Sequence, residues 1–167
     1  MKFIKRNYNY LLFSFFFMSI LAWFLEMGYS LVVRGKFVLP GAWYGPYCPI
    51  YGLTFILLLA VFRKKDNIIF NILKVAITVT AMEYVISFIS GEIFNNVIWD
   101  YSNRFLNLNG RVCLEMSTMF TIMGIIILYI FEPITRRLYI RFRDYIKYIN
   151  IVLSIFIIID ITITLVK

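Results

Sequence analysis

The chain has 167 residues, of which 62% are hydrophobic, 19% are aromatic and 16% are charged, and its formal net charge is +8. Soluble domains are about half apolar and about a quarter charged, so this composition excludes an ordinary soluble fold and indicates an integral membrane protein. The apolar residues lie in blocks that approach or exceed the roughly 20 residues of a transmembrane helix, without the alternation of a membrane barrel.

These blocks predict an all-α, polytopic membrane helix bundle with about five transmembrane helices in a single domain, residues 1–167. In chain order, the predicted spans cover residues 11–33, 41–62, 68–91, 113–134 and 146–166. The first apolar run is longer than the 7–15 residues of a signal-peptide core, and no A-x-A cleavage pattern follows it. We therefore interpret the N-terminal segment as an uncleaved first helix.

The segments that flank the predicted spans divide 16 of the 17 basic residues unequally, and the remaining one, Lys74, lies inside the third span. One side of the membrane carries Lys2, Lys5, Arg6, Arg63, Lys64, Lys65, Arg136, Arg137, Arg141, Arg143 and Lys147. The other side carries Arg34, Lys36, Arg104, Arg111 and Lys167. Because cytoplasmic loops are enriched in lysine and arginine, the N-terminus is predicted to be cytoplasmic and the C-terminus outside. The basic clusters lie beside the membrane, which predicts membrane lipids rather than nucleic acid as partners.

The second span opens with GPYCPIYG, a stretch that is unsuited to a regular transmembrane helix. Pro46 and Pro49 have no N–H to donate, and each interrupts a continuous helix. One interpretation is a helix that starts late, with Pro49 in its first turn and Tyr44, Tyr47 and Tyr51 at the interface. The other is a broken or re-entrant element at the outer end of the span, whose free N–H groups face a pocket.

A second irregular stretch, WDYSNRFLNLNGRVCL, connects the third and fourth spans. Asn109 and Gly110 form a turn signal. The polar side chains of Asp100, Asn107, Asn109 and Arg111 are expected to need partners at this depth.

The two stretches together resemble the bacterial membrane family described as putative ABC-transporter type IV. That family combines G-P-x-C-P-I-Y-G with W-D-Y-S and N-x-x-G-R-x-C-L, and the resemblance extends over residues 23–133, including Glu26 and Glu83-Tyr84. This sequence has VLPGAWYGPY where the family has an N-R-G approach to the turn. The resemblance implies a bacterial cytoplasmic membrane protein related to transport. It also implies a separate ATPase or another membrane subunit as partner, because the chain has no G-x-x-x-x-G-K-[ST] loop.

Three acidic residues, Glu26, Glu83 and Asp160, lie within predicted spans, roughly 9–12 Å below the outer boundary. A charge at this depth is costly and marks a functional site or a pair. We expect Glu26 and Glu83 to face each other and Arg111 to reach one of them or Asp100. The candidate lining of an outward-facing polar pocket, for a small polar solute or a lipid headgroup, comprises Glu26, Glu83, Asp100, Asn107, Asn109, Arg111, Asp160, Tyr44, Tyr47 and Tyr51.

Cys48 and Cys113 belong to the two irregular stretches. Both are predicted to lie on the outer side, where disulfides persist. We expect them to form a disulfide or a close pair at the pocket rim, and the alternative is two small, buried, reduced side chains.

Other function classes are weaker. The chain contains no histidine, which removes the commonest general base and most zinc sites, so no metal, cofactor or catalytic residue is predicted. A membrane-embedded enzyme that modifies lipid or cell-envelope material, and a non-catalytic scaffold or regulator, remain as alternatives. Assembly into a homo-oligomer is also open.

Overall fold

A computed structural model describes residues 8–37, 39–41 and 44–166. They form five helices, namely α1 (Tyr8–Arg34), α2 (Pro49–Val61), α3 (Ile68–Ile93), α4 (Leu114–Arg141) and α5 (Arg143–Val166). The described residues contain no β-strand beyond an isolated bridge between Leu108 and Val112. The predicted all-α class is confirmed.

Four of these helices, α1, α3, α4 and α5, are long and apolar enough to cross a membrane, so the chain is a multi-pass membrane protein. Helix α2 has only 13 residues, which extend about 20 Å and fall short of a hydrocarbon core of roughly 30 Å. It begins at Pro49, and residues 44–48 before it are irregular. The predicted late start of this helix at Pro49 is confirmed, and the broken or re-entrant element at its outer end stays a prediction.

Helix α4 continues to Arg141, beyond the predicted boundary at residue 134, and α5 begins at Arg143. A single residue, Phe142, separates the two helices. The segment after Pro133 is amphipathic, because Thr135 and Tyr139 are buried while Arg137 and Arg141 are exposed together with Ile134 and Ile140. An amphipathic helix does not end where its apolar run ends, and for this reason the predicted boundary was wrong.

A π-helical turn, Ile127–Phe131, interrupts α4 just before Pro133. A proline inside a helix lacks an N–H, and its ring collides with the carbonyl four residues earlier, here that of Tyr129. The wider turn relieves this collision while the helix continues, as π-bulges do elsewhere.

The chain packs as two compact units, and the first comprises residues 1–56 and 134–167. In this unit α1 packs against α5. The rings of Tyr10 and Tyr139 meet edge to face with centroids 5.1 Å apart. The Asn150 side-chain amide donates to the carbonyl oxygen of Asn9 over 3.0 Å, which ties α5 to the start of α1.

The second unit comprises residues 57–133, in which α3 packs against α4. Asn67 caps α3 by accepting from the Ile69 N–H over 3.0 Å. The Phe62 and Tyr129 rings meet edge to face at 5.4 Å. No observation tests the predicted single domain, which stays a prediction.

Candidate functional site

The approach to α2, residues 44–48, is held against α1 in the first unit. The Cys48 N–H donates to the Ser19 carbonyl oxygen over 3.0 Å, and the Tyr47 N–H donates to the Gly45 carbonyl oxygen over 2.9 Å. Gly52, in the first turn of α2, allows this approach: a Cβ there would lie 2.2 Å from Ser19 Oγ and 2.5 Å from the Phe15 carbonyl oxygen. Only glycine permits so close a crossing.

The carboxylate of Asp160, on α5, fixes the same approach. It accepts hydrogen bonds from the Gly45 N–H at 2.9 Å and the Tyr44 N–H at 3.2 Å, and a short one from the Tyr47 hydroxyl. Asp160 is buried. In a continuous helix, these backbone N–H groups would donate to backbone carbonyls. Here the Asp160 carboxylate accepts their hydrogen bonds instead. Asp160, predicted as a pocket residue, is an anchor for Tyr44 and Tyr47.

Glu26, on α1, lies beside the other end of this approach. Its Oε2 atom is 3.8 Å from Cys48 Sγ and 3.4 Å from the Tyr51 hydroxyl oxygen. The residue is exposed although it lies within a helix that is apolar enough to cross a membrane. No ion pair involves Glu26 in the part of the chain that the structure describes.

The pairing of Cys48 with Glu26 bears on the enzyme alternative. Reactive cysteines occupy electropositive surroundings that stabilise the thiolate. Cys48 is buried beside a carboxylate, which disfavours a second negative charge. The arrangement therefore suits a buried thiol rather than a nucleophile.

In the second unit, residues 94–113 form a loop that is organised by its own polar side chains. Asp100 Oδ1 accepts from the Ser102 N–H at 2.9 Å and from its hydroxyl at 2.5 Å, and these bonds lower the Asp100 pKa. The Asn107 amide donates to the carbonyl oxygens of Ser102 and Arg104, each over 3.0 Å, and its own oxygen accepts from the Gly110 N–H over 3.2 Å. Asp100 and Asn107 thus hold the loop itself.

The Asn109-Gly110 turn has the backbone that its sequence predicts, with φ of 53° and 66°. A Cβ on Gly110 would lie 2.5 Å from Ser102 Oγ and 2.7 Å from Asp100 Oδ1, so glycine is required for both space and conformation. The Asn109 amide donates to the Tyr84 hydroxyl over 3.0 Å, which docks the loop on α3.

Arg111 pairs with Glu92, with Nη2 2.5 Å from Oε1. Its guanidinium carbon also lies 4.7 Å from the Phe88 ring centroid and 5.6 Å from that of Tyr84. Within its own unit, Arg111 therefore pairs with Glu92 rather than with Asp100 or Glu83, and its predicted contact with Glu26 stays a prediction. Glu92 lies one helical turn beyond Phe88, so the end of α3 presents the charge and the ring together.

Glu83, on α3, is buried, with 7% of its surface exposed. Neither carboxylate oxygen has a hydrogen-bond partner among the described residues. The Tyr101 phenol lies close to Glu83. Burial raises the Tyr101 pKa to about 12, and the nearby Glu83 carboxylate is the second cause of this increase. The two groups do not meet the distance and angle of a formed hydrogen bond, so we describe the contact as electrostatic.

The family model described as putative ABC-transporter type IV matches residues 13–165. The chain belongs to this family. No curated protein and no solved structure matches the chain.

In this member of the ABC-transporter type IV family, two groups of predicted site residues come together. Tyr44 and Tyr47 gather on Asp160, while Cys48 and Tyr51 gather on Glu26. Asp100, Asn107, Asn109 and Arg111 organise one loop and its attachment to α3.

Two predicted pairs, Glu26 with Glu83 and Cys48 with Cys113, each have one residue in either unit and stay predictions. Glu26 and Cys48 belong to the first unit, and Glu83 and Cys113 belong to the second. Both cysteines are free, buried thiols in the structure. No group of three or more histidine, cysteine, aspartate or glutamate residues in the described part of the chain could hold a metal ion.

Sequence reasoning missed three residues that shape these sites, namely Ser19, Glu92 and Tyr101. The spacing of Asp100 and Ser102 was a readable signal for the turn that places Tyr101, because aspartate commonly accepts from the backbone two residues later. No local pattern indicates that the Ser19 carbonyl receives the Cys48 N–H, since the two residues are far apart in sequence.

Proposed function

We propose that the protein is the membrane-embedded part of a bacterial transport system and that Glu26 binds a positively charged group of a polar solute or lipid headgroup. The family supports the connection with transport. The distribution of basic residues supports a location in the cytoplasmic membrane, with the N-terminus inside and the C-terminus outside.

One observation carries the binding role, the exposed carboxylate of Glu26 within an apolar helix. Its contacts among the described residues are the Cys48 thiol and the Tyr51 hydroxyl, both neutral. An ionised carboxylate at membrane depth is costly unless a counter-charge or further donors stabilise it. A bound ammonium group supplies both, since it carries three donors and a positive charge.

The contacts of Arg111 favour a positively charged ligand group over a negatively charged one. Arg111 was the candidate for a carboxylate or phosphate, but Glu92 and two aromatic rings already occupy its guanidinium. The remaining candidate at membrane depth in the first unit is acidic. A primary ammonium, carried by an aminophospholipid headgroup or by a small amine, is the complementary chemistry.

Energy for transport would come from a partner. The sequence has no G-x-x-x-x-G-K-[ST] loop for nucleotide phosphates. A separate ATPase subunit is therefore part of the proposal.

Native mass spectrometry of the purified protein tests the ligand class. Phosphatidylethanolamine and free ethanolamine are added separately, with phosphatidylglycerol as the anionic comparison. We expect retention of one amine-bearing probe, which also identifies its source, and a loss of about tenfold in Glu26→Gln, as befits a hydrogen bond to a charged group. The matched control is Glu115→Gln, because Glu115 forms an exposed pair with Arg104.

Equal retention by wild type and Glu26→Gln would contradict the proposal, as would preferential binding of phosphatidylglycerol. The orientation is tested separately with reporter fusions after Asp66 and after Asn103. We expect the two fusions to report opposite sides of the membrane, and signals from the same side would overturn the topology.

A further inference from the structure

Glu83 is the most exceptional buried polar group in the second unit. It is more than nine-tenths buried, on a helix that is apolar enough to cross a membrane, and both of its carboxylate oxygens lack a hydrogen-bond partner among the described residues. Buried carboxylates are normally paired or hydrogen-bonded, because an isolated buried charge is very unfavourable. An ionised Glu83 would therefore lack the partners that its burial requires.

The charged groups at this end of the second unit already have partners among the described residues. On α3 itself, Glu92 binds Arg111. In the adjoining loop, Arg104 binds Glu115 at the start of α4, and Asp100 binds Ser102. The titratable groups that face Glu83 are the phenol of Tyr101 and, next to that phenol, the thiol of Cys113. The guanidinium of Arg104, which is paired with Glu115, also acts on the phenol.

Neither of these two groups removes the charge. The Tyr101 pKa of about 12 keeps the phenol protonated at neutral pH, so Tyr101 can act as a donor but not as a base. A thiol is a weak donor. A metal ion is also disfavoured, since a cation such as Ca²⁺ requires several oxygen ligands and no cluster of acidic side chains is present in the described residues.

We propose that Glu83 is a proton-binding site, at which the side chain is held as the neutral carboxylic acid in the membrane at neutral pH. The bound proton removes the charge, and the acid group then presents one O–H donor and one carbonyl acceptor toward Tyr101. Loss of the proton at alkaline pH places a bare carboxylate beside the phenol. This inference concerns the second unit and does not depend on the ligand proposed for Glu26.

The position of Tyr101 links the proton to the loop. Its N–H donates to the Gly110 carbonyl oxygen over 2.7 Å, and its ring stacks against that of Trp99 with centroids 6.5 Å apart. Trp99 in turn donates to the Arg111 carbonyl oxygen over 2.9 Å. The protonation state of Glu83 is thus sensed at the base of the loop that carries Asn107, Gly110 and Arg111.

Infrared spectroscopy of the intact protein in lipid nanodiscs tests the assignment. We expect the wild type minus Glu83→Gln difference spectrum at pH 7 to contain the C=O stretch of a protonated carboxylic acid, and this band to disappear reversibly as the pH is raised. The matched control is Asp160→Asn, whose difference spectrum should contain only bands of an ionised carboxylate, because Asp160 accepts three hydrogen bonds.

Carboxylate bands alone for Glu83 at pH 7 would overturn the proposal. The proposal would also be overturned if the band of the protonated acid disappeared at pH 7 when sodium replaced choline in the buffer. Such a result would show that the site binds sodium in place of the proton. If Glu83→Gln does not fold, Tyr101→Phe gives an independent result. In Tyr101→Phe we expect the C=O band of protonated Glu83 to remain at pH 7 and to shift in frequency relative to wild type, because the phenol no longer faces the acid. Absence of a protonated band, or an unshifted one, would contradict the proposal.

Discussion

Asp160 and Glu83 are both carboxylates on membrane-spanning helices, and each leaves 7% of its surface exposed. Asp160 receives three donors from one irregular segment, whereas Glu83 receives none that meets hydrogen-bond geometry in the described residues. Burial alone therefore does not determine what a buried acid does. The supply of donors separates an ionised anchor from a site that requires an external ligand.

The largest expected effect is at the anchor. Asp160→Leu removes the hydrogen bonds that the Gly45 N–H and the Tyr47 hydroxyl donate to the carboxylate, and a hydrogen bond to a charged group contributes about 1.5–3 kcal/mol. We expect the free energy of unfolding to fall by about 3 kcal/mol, measured by denaturant titration in detergent micelles. Limited proteolysis should also become faster within residues 44–48.

Two variants sharpen this result. Thr162→Val is the control on the same helix, because the exposed Thr162 hydroxyl only donates to the Ile158 carbonyl oxygen, and a change within about 0.5 kcal/mol is expected. Tyr47→Phe removes one donor and should cost about 1–2 kcal/mol. The losses from Tyr47→Phe and Asp160→Leu should not add in the double variant, and full additivity would show that the two groups act separately.

The expected effect at Glu83 is smaller. Glutamine has nearly the shape of the neutral acid, so Glu83→Gln should change the free energy of unfolding at pH 7 by less than about 1 kcal/mol. The same denaturant titration measures it beside Asp160→Leu. A loss comparable with that of Asp160→Leu would remove the distinction between the two acids, because it would indicate an ionised and partnered carboxylate.

Asp100 is a third carboxylate, at the surface, and its loss is expected to have the smallest effect on stability. Hydrogen bonds from Ser102 lower the pKa of Asp100, so its contribution to the loop is present above the unfolded pKa of about 3.9 and is lost as the pH falls through the lower folded value. We expect the protection factors of residues 99–112, that is, exchange rates corrected for the intrinsic pH dependence of amide exchange, to fall on acidification below about pH 4.

Asp100→Asn keeps an oxygen that can accept from the Ser102 N–H but cannot titrate. This variant should therefore lose the acid-induced step in hydrogen exchange. An unchanged acid response would assign the step to another group.

The features that depend on local sequence could be predicted. The apolar blocks predicted the membrane helices, and Pro49 correctly indicated where α2 begins. The Asn109-Gly110 pair predicted a turn, because few other residues adopt positive φ at low cost.

The features that depend on partners far along the chain could not be predicted. Asp160 was recognisable as a costly residue, but its partners at Tyr44 and Gly45 lie 116 and 115 residues away. Arg111 had several acids within plausible reach, and the choice of Glu92 depends on how the loop folds back over Phe88 and Tyr84. Such choices follow from three-dimensional packing rather than from spacing.

The anchoring of the α2 approach by α5 has a consequence for biosynthesis. The ribosome makes the Gly45 N–H about 115 residues before it makes its acceptor on Asp160. At roughly 5–20 residues per second, this interval lasts on the order of ten seconds. During that time the nascent chain holds α1 and α2 without the carboxylate that completes them. The first unit, formed from both ends of the chain, can therefore close only after α5 has been synthesised and inserted.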